Sequence, residues 1–220
     1  MARPEPAPRR TSRRTSTRPP LPPSVAVEGT RGRILVAGLK LFADRGFHAT
    51  SIRDVAAAAG VQSASLYSHF PSKESILAEL VLLGHEEHHR RIVTAMLEAG
   101  ADPTAQLAAL VRAHVLVHAE FPMLGTVANY ELHNVAPEVV APALTLRSRS
   151  LAILEEVLDR GARDGVFVIL HRHATTRAIA AMGVSVATWW PPANDDITAE
   201  ELSDAYSDLA LRMAGVVDRP

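Results

Sequence analysis

The sequence predicts an all-α fold of about nine helices, with an N-terminal three-helix helix-turn-helix domain followed by a larger helical bundle. Three observations predict it. Apolar residues recur at spacings of three and four from Thr30 almost to the C-terminus. No segment shows the sustained two-residue alternation of a half-buried strand. Helix-stopping residues (Gly46, Gly60, Pro71, Pro122, Pro137 and the pair Pro191-Pro192) cut the periodic stretches into helix-sized pieces.

Composition narrows the function classes. A chain of 220 residues, 47% hydrophobic and 21% charged, is long enough for a sizeable core and ordinary for a globular protein. It has no cysteine, which excludes a disulfide scaffold, a Cys-based zinc site and thiol catalysis. No apolar run approaches the roughly 18 to 20 residues of a membrane span. The basic N-terminus lacks the apolar core of a signal peptide, so a cytoplasmic protein with no membrane partner is expected. The net charge of −1 is unevenly spread: +5 over residues 1–24, +3 over 25–73 and −9 over 74–220. A basic front on an acidic body is the footprint of a front third that meets a polyanion. A solvated arm on an acidic domain would carry the same charges.

The elements follow in order. Residues 1–28, beginning "MARPEPAPRRTSRRTSTRPPLPPS", hold Pro, Arg, Ser and Thr with almost nothing to bury, and read as a disordered basic arm. Such an arm adds non-specific phosphate attraction or is a dispensable tail. A first helix from Thr30 places Ile34, Leu35, Gly38, Leu39, Leu41 and Phe42 on one side and stops at Gly46. A second starts at the hydroxyl caps Thr50 and Ser51 and ends at Gly60. A third, short helix runs from about Ser63 to Phe70, with Ser63 as its expected cap. Pro71-Ser72 breaks it. Ser72 caps a long helix from Lys73 to about Ala99, with Glu74 in its first turn. Further helices are expected over Thr104–Ala119, Pro122–Tyr130, Pro137–Arg163, His173–Trp190 (apolar nearly all round) and Thr198 to about Val217.

Residues 52–70, "IRDVAAAAGVQSASLYSHF", carry the strongest signal. Two short helices joined by a tight turn need a small residue where they touch, and Ala56 stands there. The turn needs a residue at ease with positive φ, and Gly60 supplies it. Ile52, Val55, Val61 and Leu66 point back to the core. These spacings fit a helix-turn-helix whose second helix enters the major groove. Its exposed face would hold Gln62, Ser63, Ala64, Ser65, Tyr67, Ser68 and His69. Gln reads adenine, Ser and His donate to bases or phosphates, and Ala packs on a thymine methyl. Tyr67 reaches phosphate or packs, Phe70 packs, and Lys73 is placed as a phosphate clamp. Thr50, Ser51 and Arg53 begin the preceding helix, where side chains and free N–H groups meet phosphates.

The stretch "ILVAGLKLFADRGFHATSIRDVAAAAGVQSASLYSHFPSKESIL" resembles the DNA-binding domain of the TetR family of bacterial transcriptional regulators. Leu41-Phe42, Gly46-Phe47, Thr50-Ser51-Ile52, Val55-Ala56, Ala59-Gly60-Val61, Leu66-Tyr67, His69-Phe70 and Lys73-Glu74 carry the resemblance. It implies a helix-turn-helix domain over 29–73 and a ligand-binding and dimerisation domain over 74–218. It also implies a homodimer, a double-stranded DNA operator with palindromic symmetry and a small-molecule effector that releases the repressor. The tail with Trp189-Trp190 is similar to members that sense acyl-CoA or other lipid-derived metabolites.

The same resemblance assigns roles in the second domain. Small residues in "AAMGVSVA" suit close helix packing, so Ala180, Gly183, Val184 and Ala187, with Tyr206 and Leu209 of the last helix, are the expected dimer seam; an ordinary core helix would use them equally. The expected pocket comprises Val111, His114, Val115, His118, Met123, Val127, Leu151, Met182 and Trp189, each also a plausible plain core residue. Arg147 and Arg149 would neutralise an anionic ligand or be solvated. No cofactor is expected.

"HEEHH" contains the H-E-x-x-H spacing at His85, Glu86 and His89, which on a helix sets two imidazoles and a Glu on one face, as in zinc hydrolases. His114 and His118 form another i, i+4 pair, so a metal-responsive regulator built on His85, His88, His89, His114 and His118 is the alternative. The competing reading is a solvated, mixed-charge stretch of a long linking helix. No catalytic or metal residue is assigned, and no enzyme is expected.

Overall fold

The structure is a computed structural model and describes residues 21–191 and 197–216. The arm expected over 1–28 lies outside them up to residue 20. Its last residues are seated rather than free: Leu21 is 1% exposed in the first core, and Val25 packs against that core.

Among the described residues the chain forms nine α-helices. They are α1 Thr30–Arg45, α2 Ile52–Ala59, α3 Ser63–Tyr67, α4 Lys73–Glu98, α5 Pro103–Glu120, α6 Pro122–Tyr130, α7 Pro137–Arg163, α8 Arg172–Trp189 and α9 Ala199–Ala214. A 3-10 turn, Leu132–Asn134, joins α6 to α7. No strand forms among them; Phe167 and Val216 make a lone antiparallel bridge.

Local chemistry sets most of the boundaries. Ser51 and Asp54 form a reciprocal capping box at the start of α2, and Ser72 and Ser75 form one at α4. Asp102 caps α5 ahead of Pro103, and Thr198 with Glu201 closes the box on α9. Gly60 ends α2 at φ 65°, which an L side chain adopts only with strain. One expected cap is corrected. Ser63 is the first residue of α3, and its Ncap is Gln62, whose side chain makes no capping bond.

Two apolar clusters form the interior. The first joins α1, α2 and α3 to the opening turns of α4 through Leu39, Phe42, Val55, Leu66, Phe70, Ile76 and Leu80. It continues through Leu124 and Val127 of α6. The second gathers α5, α7, α8 and α9 around Leu107, Val115, Val157, Ile179, Val186 and Ala210. The boundary expected at 73/74 thus falls at a helix whose first turns share a core with the helix-turn-helix. α8, expected to be apolar nearly all round, is not buried all round: Ala174, Arg177, Ala178, Ala181 and Thr188 are exposed. No single helix among the described residues is long and apolar enough to cross a membrane; α5 and α6 reach that length only together, across a 102° bend and mostly buried in the core.

Candidate DNA-reading helix and buried cavity

α2 and α3 meet as the spacing requires. Val61 N–H donates to the Ala56 carbonyl at 3.0 Å, and Ala56 is 3% exposed between the helices. Val55 and Leu66 are fully buried, so the opposite side of α3 faces out. Gln62, Ser63, Ala64, Ser65, Tyr67, Ser68 and His69 are all exposed, and Tyr67 stands 52% open. No charged side chain interrupts this face. Its hydroxyl, amide and imidazole groups are hydrogen-bonding groups of the kind that read base edges. Phe70 instead packs, at 2% exposure.

The end of α3 is braced from α1 and α4. Arg31 Nη1 donates to the His69 carbonyl at 3.1 Å, its guanidinium lies 4.3 Å over the Phe70 ring, and it pairs with Glu79. Sequence reasoning missed Arg31; its position one turn before Ile34, Leu35 and Gly38 on α1 was the available signal.

Two residues expected at phosphates are committed inward. Thr50 is 1% exposed, and its hydroxyl donates to the carbonyl of Gly46 at 3.0 Å, closing the turn into α2. Lys73 Nζ donates to the carbonyls of Phe47 and Thr50, both at 2.8 Å, and lies 4.0 Å over the Phe47 ring. The turn leaves these carbonyls without helical partners, and an ammonium at the start of α4 satisfies both. Ser51 is exposed, but its hydroxyl is occupied in the cap, donating to Asp54 Oδ2 at 2.7 Å. Arg53 is exposed and makes no ion pair among the described residues.

Behind the reading head, α4, α5, α6, α7 and α8 enclose a cavity of about 130 Å³, space for several waters or a compact apolar group. α4 contributes Gly84, His85, Glu87, His88 and Ile92. Gly84 is needed where α4 and α6 touch, since a Cβ there would stand 2.6 Å from Ala128 Cβ. This overturns the reading of "HEEHHRR" as a solvated stretch: His85 is 5% and Glu87 6% exposed. The signal was present. Leu77, Leu80, Val81, Gly84, His85, His88 and Ile92 continue one 3.6-residue stripe, and the apolar part of it is buried.

Hydrogen bonds orient the histidines. His114 Nε2 donates to the Ala180 carbonyl at 2.9 Å, which leaves its Nδ1 as an acceptor. His88 Nε2, 2.8 Å from that Nδ1, must therefore be the donor. His118 Nδ1 donates to the His114 carbonyl at 2.8 Å, so its Nε2 is a bare acceptor beside Asn129 Nδ2 at 3.4 Å. His88, His114 and Ala180 thus form a chain of neutral bonds across α4, α5 and α8. Burial holds these imidazoles below their ordinary range, His118 at about 3. Burial, with the Arg147 charge second, holds His85 at about 4. His88 Nε2, both nitrogens of His114 and His118 Nδ1 are spent on carbonyls and on each other, and no group of three or more His, Cys, Asp or Glu among the described residues is arranged to hold a metal. The H-E-x-x-H spacing is likewise scattered: His85 lines the cavity, Glu86 is exposed, and His89 Nδ1 meets Ser150 Oγ at 2.9 Å.

Of the expected pocket residues, Val111, His114, His118, Arg147 and Leu151 line the cavity. Val115 lies in the second core, and Met182 packs on it. Met123 and Val127 belong to the first core. Trp189 is 42% exposed at the end of α8, while its neighbour Trp190 turns in at 7%. Arg149 is exposed on α7. Residues not anticipated include Leu124, Gly125, Asn129, Ser150 and Arg177.

Within the protomer the residues expected at the dimer seam have the following surroundings. Ala180 and Val184 line the cavity, Gly183 abuts the His114 ring, and Ala187 is 7% exposed against α6. The small residues of α8 let it approach α5 and α6 within one chain. Tyr206 packs partly against the second core, and Leu209 stays 47% exposed.

The family description for bacterial regulatory proteins of the tetR type matches residues 34–80, and that for the tetracyclin repressor-like C-terminal domain matches 100–214. The chain is 34% identical over 197 residues to the HTH-type transcriptional repressor KstR2 of Rhodococcus jostii, covering 89% of this chain and 96% of that one. A tetR-family regulatory protein from Rhodococcus RHA1 has a similar solved structure, with TM-score 0.80 and 29% identity over 86% of this chain and 98% of that one. So does the ketosteroid transcriptional regulator KstR2 of Mycobacterium tuberculosis, with TM-score 0.78 and 25% identity over 88% and 98%.

Proposed function

The chain belongs to the TetR family of bacterial regulatory proteins, and from that premise we propose that it is a cytoplasmic, ligand-responsive transcriptional repressor without catalytic activity. As a homodimer it binds a palindromic operator, with one α3 in each of two major-groove half-sites about 34 Å apart. Gln62, Ser63, Ala64, Ser65 and His69 meet base edges, while Tyr67, Arg53 and the cap at Ser51 meet phosphates. The pairing surface is the outward side of α8 and α9, around Ala178, Ala181 and Leu209, which the protomer leaves exposed. The effector, a small molecule of lipid-derived or acyl-CoA type, occupies the cavity between α4 and α8.

One observation carries the reading. α4 begins at Lys73, three residues beyond Phe70, and the same helix supplies Gly84, His85 and His88 to the cavity wall. A ligand that fits one setting of α4 better than another shifts the spacing of the two reading heads. Fluorescence polarisation on duplexes from upstream of the protein's own gene tests it. Binding should weaken steeply with salt. Arg53→Ala should lower affinity for every duplex alike, and Gln62→Ala should cost about 1–3 kcal/mol at one base pair. Salt-independent binding, or none to any upstream fragment, rules the reading out.

A further inference from the structure

The cavity wall has more hydrogen-bond acceptors than donors. A neutral imidazole carries a single N–H, and burial keeps His85, His88, His114 and His118 neutral. Each spends its proton inside the protein. His85 gives its proton to the Ala128 carbonyl, and His88 to His114 Nδ1. His114 gives its proton to the Ala180 carbonyl, and His118 to the His114 carbonyl. His85 and His118 both line the cavity, and the nitrogen each has left over is Nε2, a lone pair without a proton. His85 is 5% exposed, and its Nε2 has no hydrogen-bond partner among the described residues. A buried acceptor is left unpaired only at a cost. His118 Nε2 is little better served: Asn129 Nδ2 stands 3.4 Å away and donates to the Gly125 carbonyl at 2.9 Å. Glu87, the lining carboxylate, is already paired with Arg90 at 2.8 Å and Arg91 at 2.6 Å. Around these points the wall is apolar, with Leu110, Leu124 and Ile179.

We propose that the cavity selects a hydrocarbon that bears a hydroxyl group: the O–H donates to His85 Nε2, and the hydrocarbon packs on Leu110, Leu124 and Ile179. This rests on the reading of the cavity as the effector site and adds the functional group that the site recognises. The choice follows from what His85 can accept. A carbonyl or ether oxygen in the same place would set lone pair against lone pair and leave both acceptors unpaired. An ammonium has protons to give, but it would be buried in an apolar wall beside Arg147, whose charge already opposes protonation of His85. A hydroxyl supplies the missing proton without adding charge. His85 is thus a specificity-determining residue that reads an alcohol by its proton.

The experiment uses the full-length protein and four compact probes equal in non-hydrogen atoms: cycloheptanol, cycloheptanone, cyclohexyl methyl ether and cyclohexylmethylamine. Binding is read by calorimetry and by thermal stabilisation, and operator release by fluorescence polarisation. Cycloheptanol should bind about tenfold more tightly than the ketone and the ether, and the amine should bind most weakly. His85→Phe should remove that preference by weakening the alcohol about tenfold, while the ketone and the ether change by less than about twofold. A purely structural role for His85 would weaken all the probes together. His85→Gln, which restores a side-chain carbonyl as acceptor, should keep part of the preference. If His85→Phe fails to fold, the ratio of alcohol to ketone in the unaltered protein and in His85→Gln still decides. A ketone or ether that binds as tightly as the alcohol overturns the proposal. So does an alcohol preference that survives intact in His85→Phe, or the absence of binding by cycloheptanol. An alcohol preference that depends on His85 but leaves operator affinity unchanged supports this inference and counts against the cavity's role as effector site.

Discussion

Gly183→Ala separates the two roles open to the small residues of α8. A Cβ at Gly183 would stand 2.0 Å from His114 Cδ2, 2.4 Å from Nε2 and 2.8 Å from Cγ. Carbon atoms rest about 3.5–4.0 Å apart, so the ring would have to retreat by about 1.5 Å. It is held on both sides, by His88 at 2.8 Å and by the Ala180 carbonyl at 2.9 Å. A shift of that size breaks both bonds. Overpacking costs about 1–3 kcal/mol, and buried polar groups left unmade cost about 1–3 kcal/mol more. Alanine's better helix propensity returns about 1 kcal/mol. The net is a destabilisation of about 1–5 kcal/mol. Urea unfolding at fixed protein concentration should show a lower midpoint with an unchanged slope. Adding His114→Ala removes the obstructing ring, so the double variant should be more stable than the sum of the single changes by at least about 1 kcal/mol. The reasoning is refuted if Gly183→Ala stabilises the protomer while loosening the dimer, because Gly183 would then serve the seam rather than the His114 contact.

Other consequences are equally direct. His85 and His118 are lowered from 6.5 to about 4 and about 3, so the unfolded chain binds more protons in that interval. Stability is therefore fully present above about pH 6.5 and is lost as pH falls toward those values; the urea midpoint should drop between pH 7.5 and 5, and less steeply in His118→Gln. A flat profile would contradict the neutral histidine wall. Lys73→Met removes two charge-assisted bonds to carbonyls, each worth about 1.5 kcal/mol, and should lower the melting temperature while changing the salt slope of DNA binding by less than Arg53→Ala does. A larger loss of salt slope than of stability would return Lys73 to the phosphates. Gly84→Val forces α4 away from Ala128 and should lower both stability and effector response, measured by melting and by ligand-induced operator release.

The exposed face of α3 was legible because its causes are local. Ala56, Gly60, Val61 and Leu66 lie within a dozen residues, and turn geometry plus burial of one side leaves no other face for Gln62, Ser65 and His69. Capping chemistry placed helix starts for the same reason: Ser51, Ser72 and Thr198 act on the next three residues. The cavity was only half legible. His114 and His118 were expected there because their helix was expected to face the interior of the second domain. His85 and His88 sit among Glu and Arg, and local composition disguised the stripe they continue.

The sequence by itself determined which segments are helical, where they stop and which short helix presents an uncharged exposed face, because propensity, caps and turn residues act over one or two turns. Only the tertiary structure decided between alternatives that are equivalent locally. Lys73 could reach a phosphate or two carbonyls, and the Phe47–Thr50 turn folded beneath it made the carbonyls nearer. Gly183 could face a twin or a neighbour, and the His114 ring occupies the space that a side chain would need. His85 could face water or a cavity, and the packing of α6 and α7 on α4 turned it inward beside Arg147. In each case the partner lies far away in the chain, so spacing along the sequence carries no information about it.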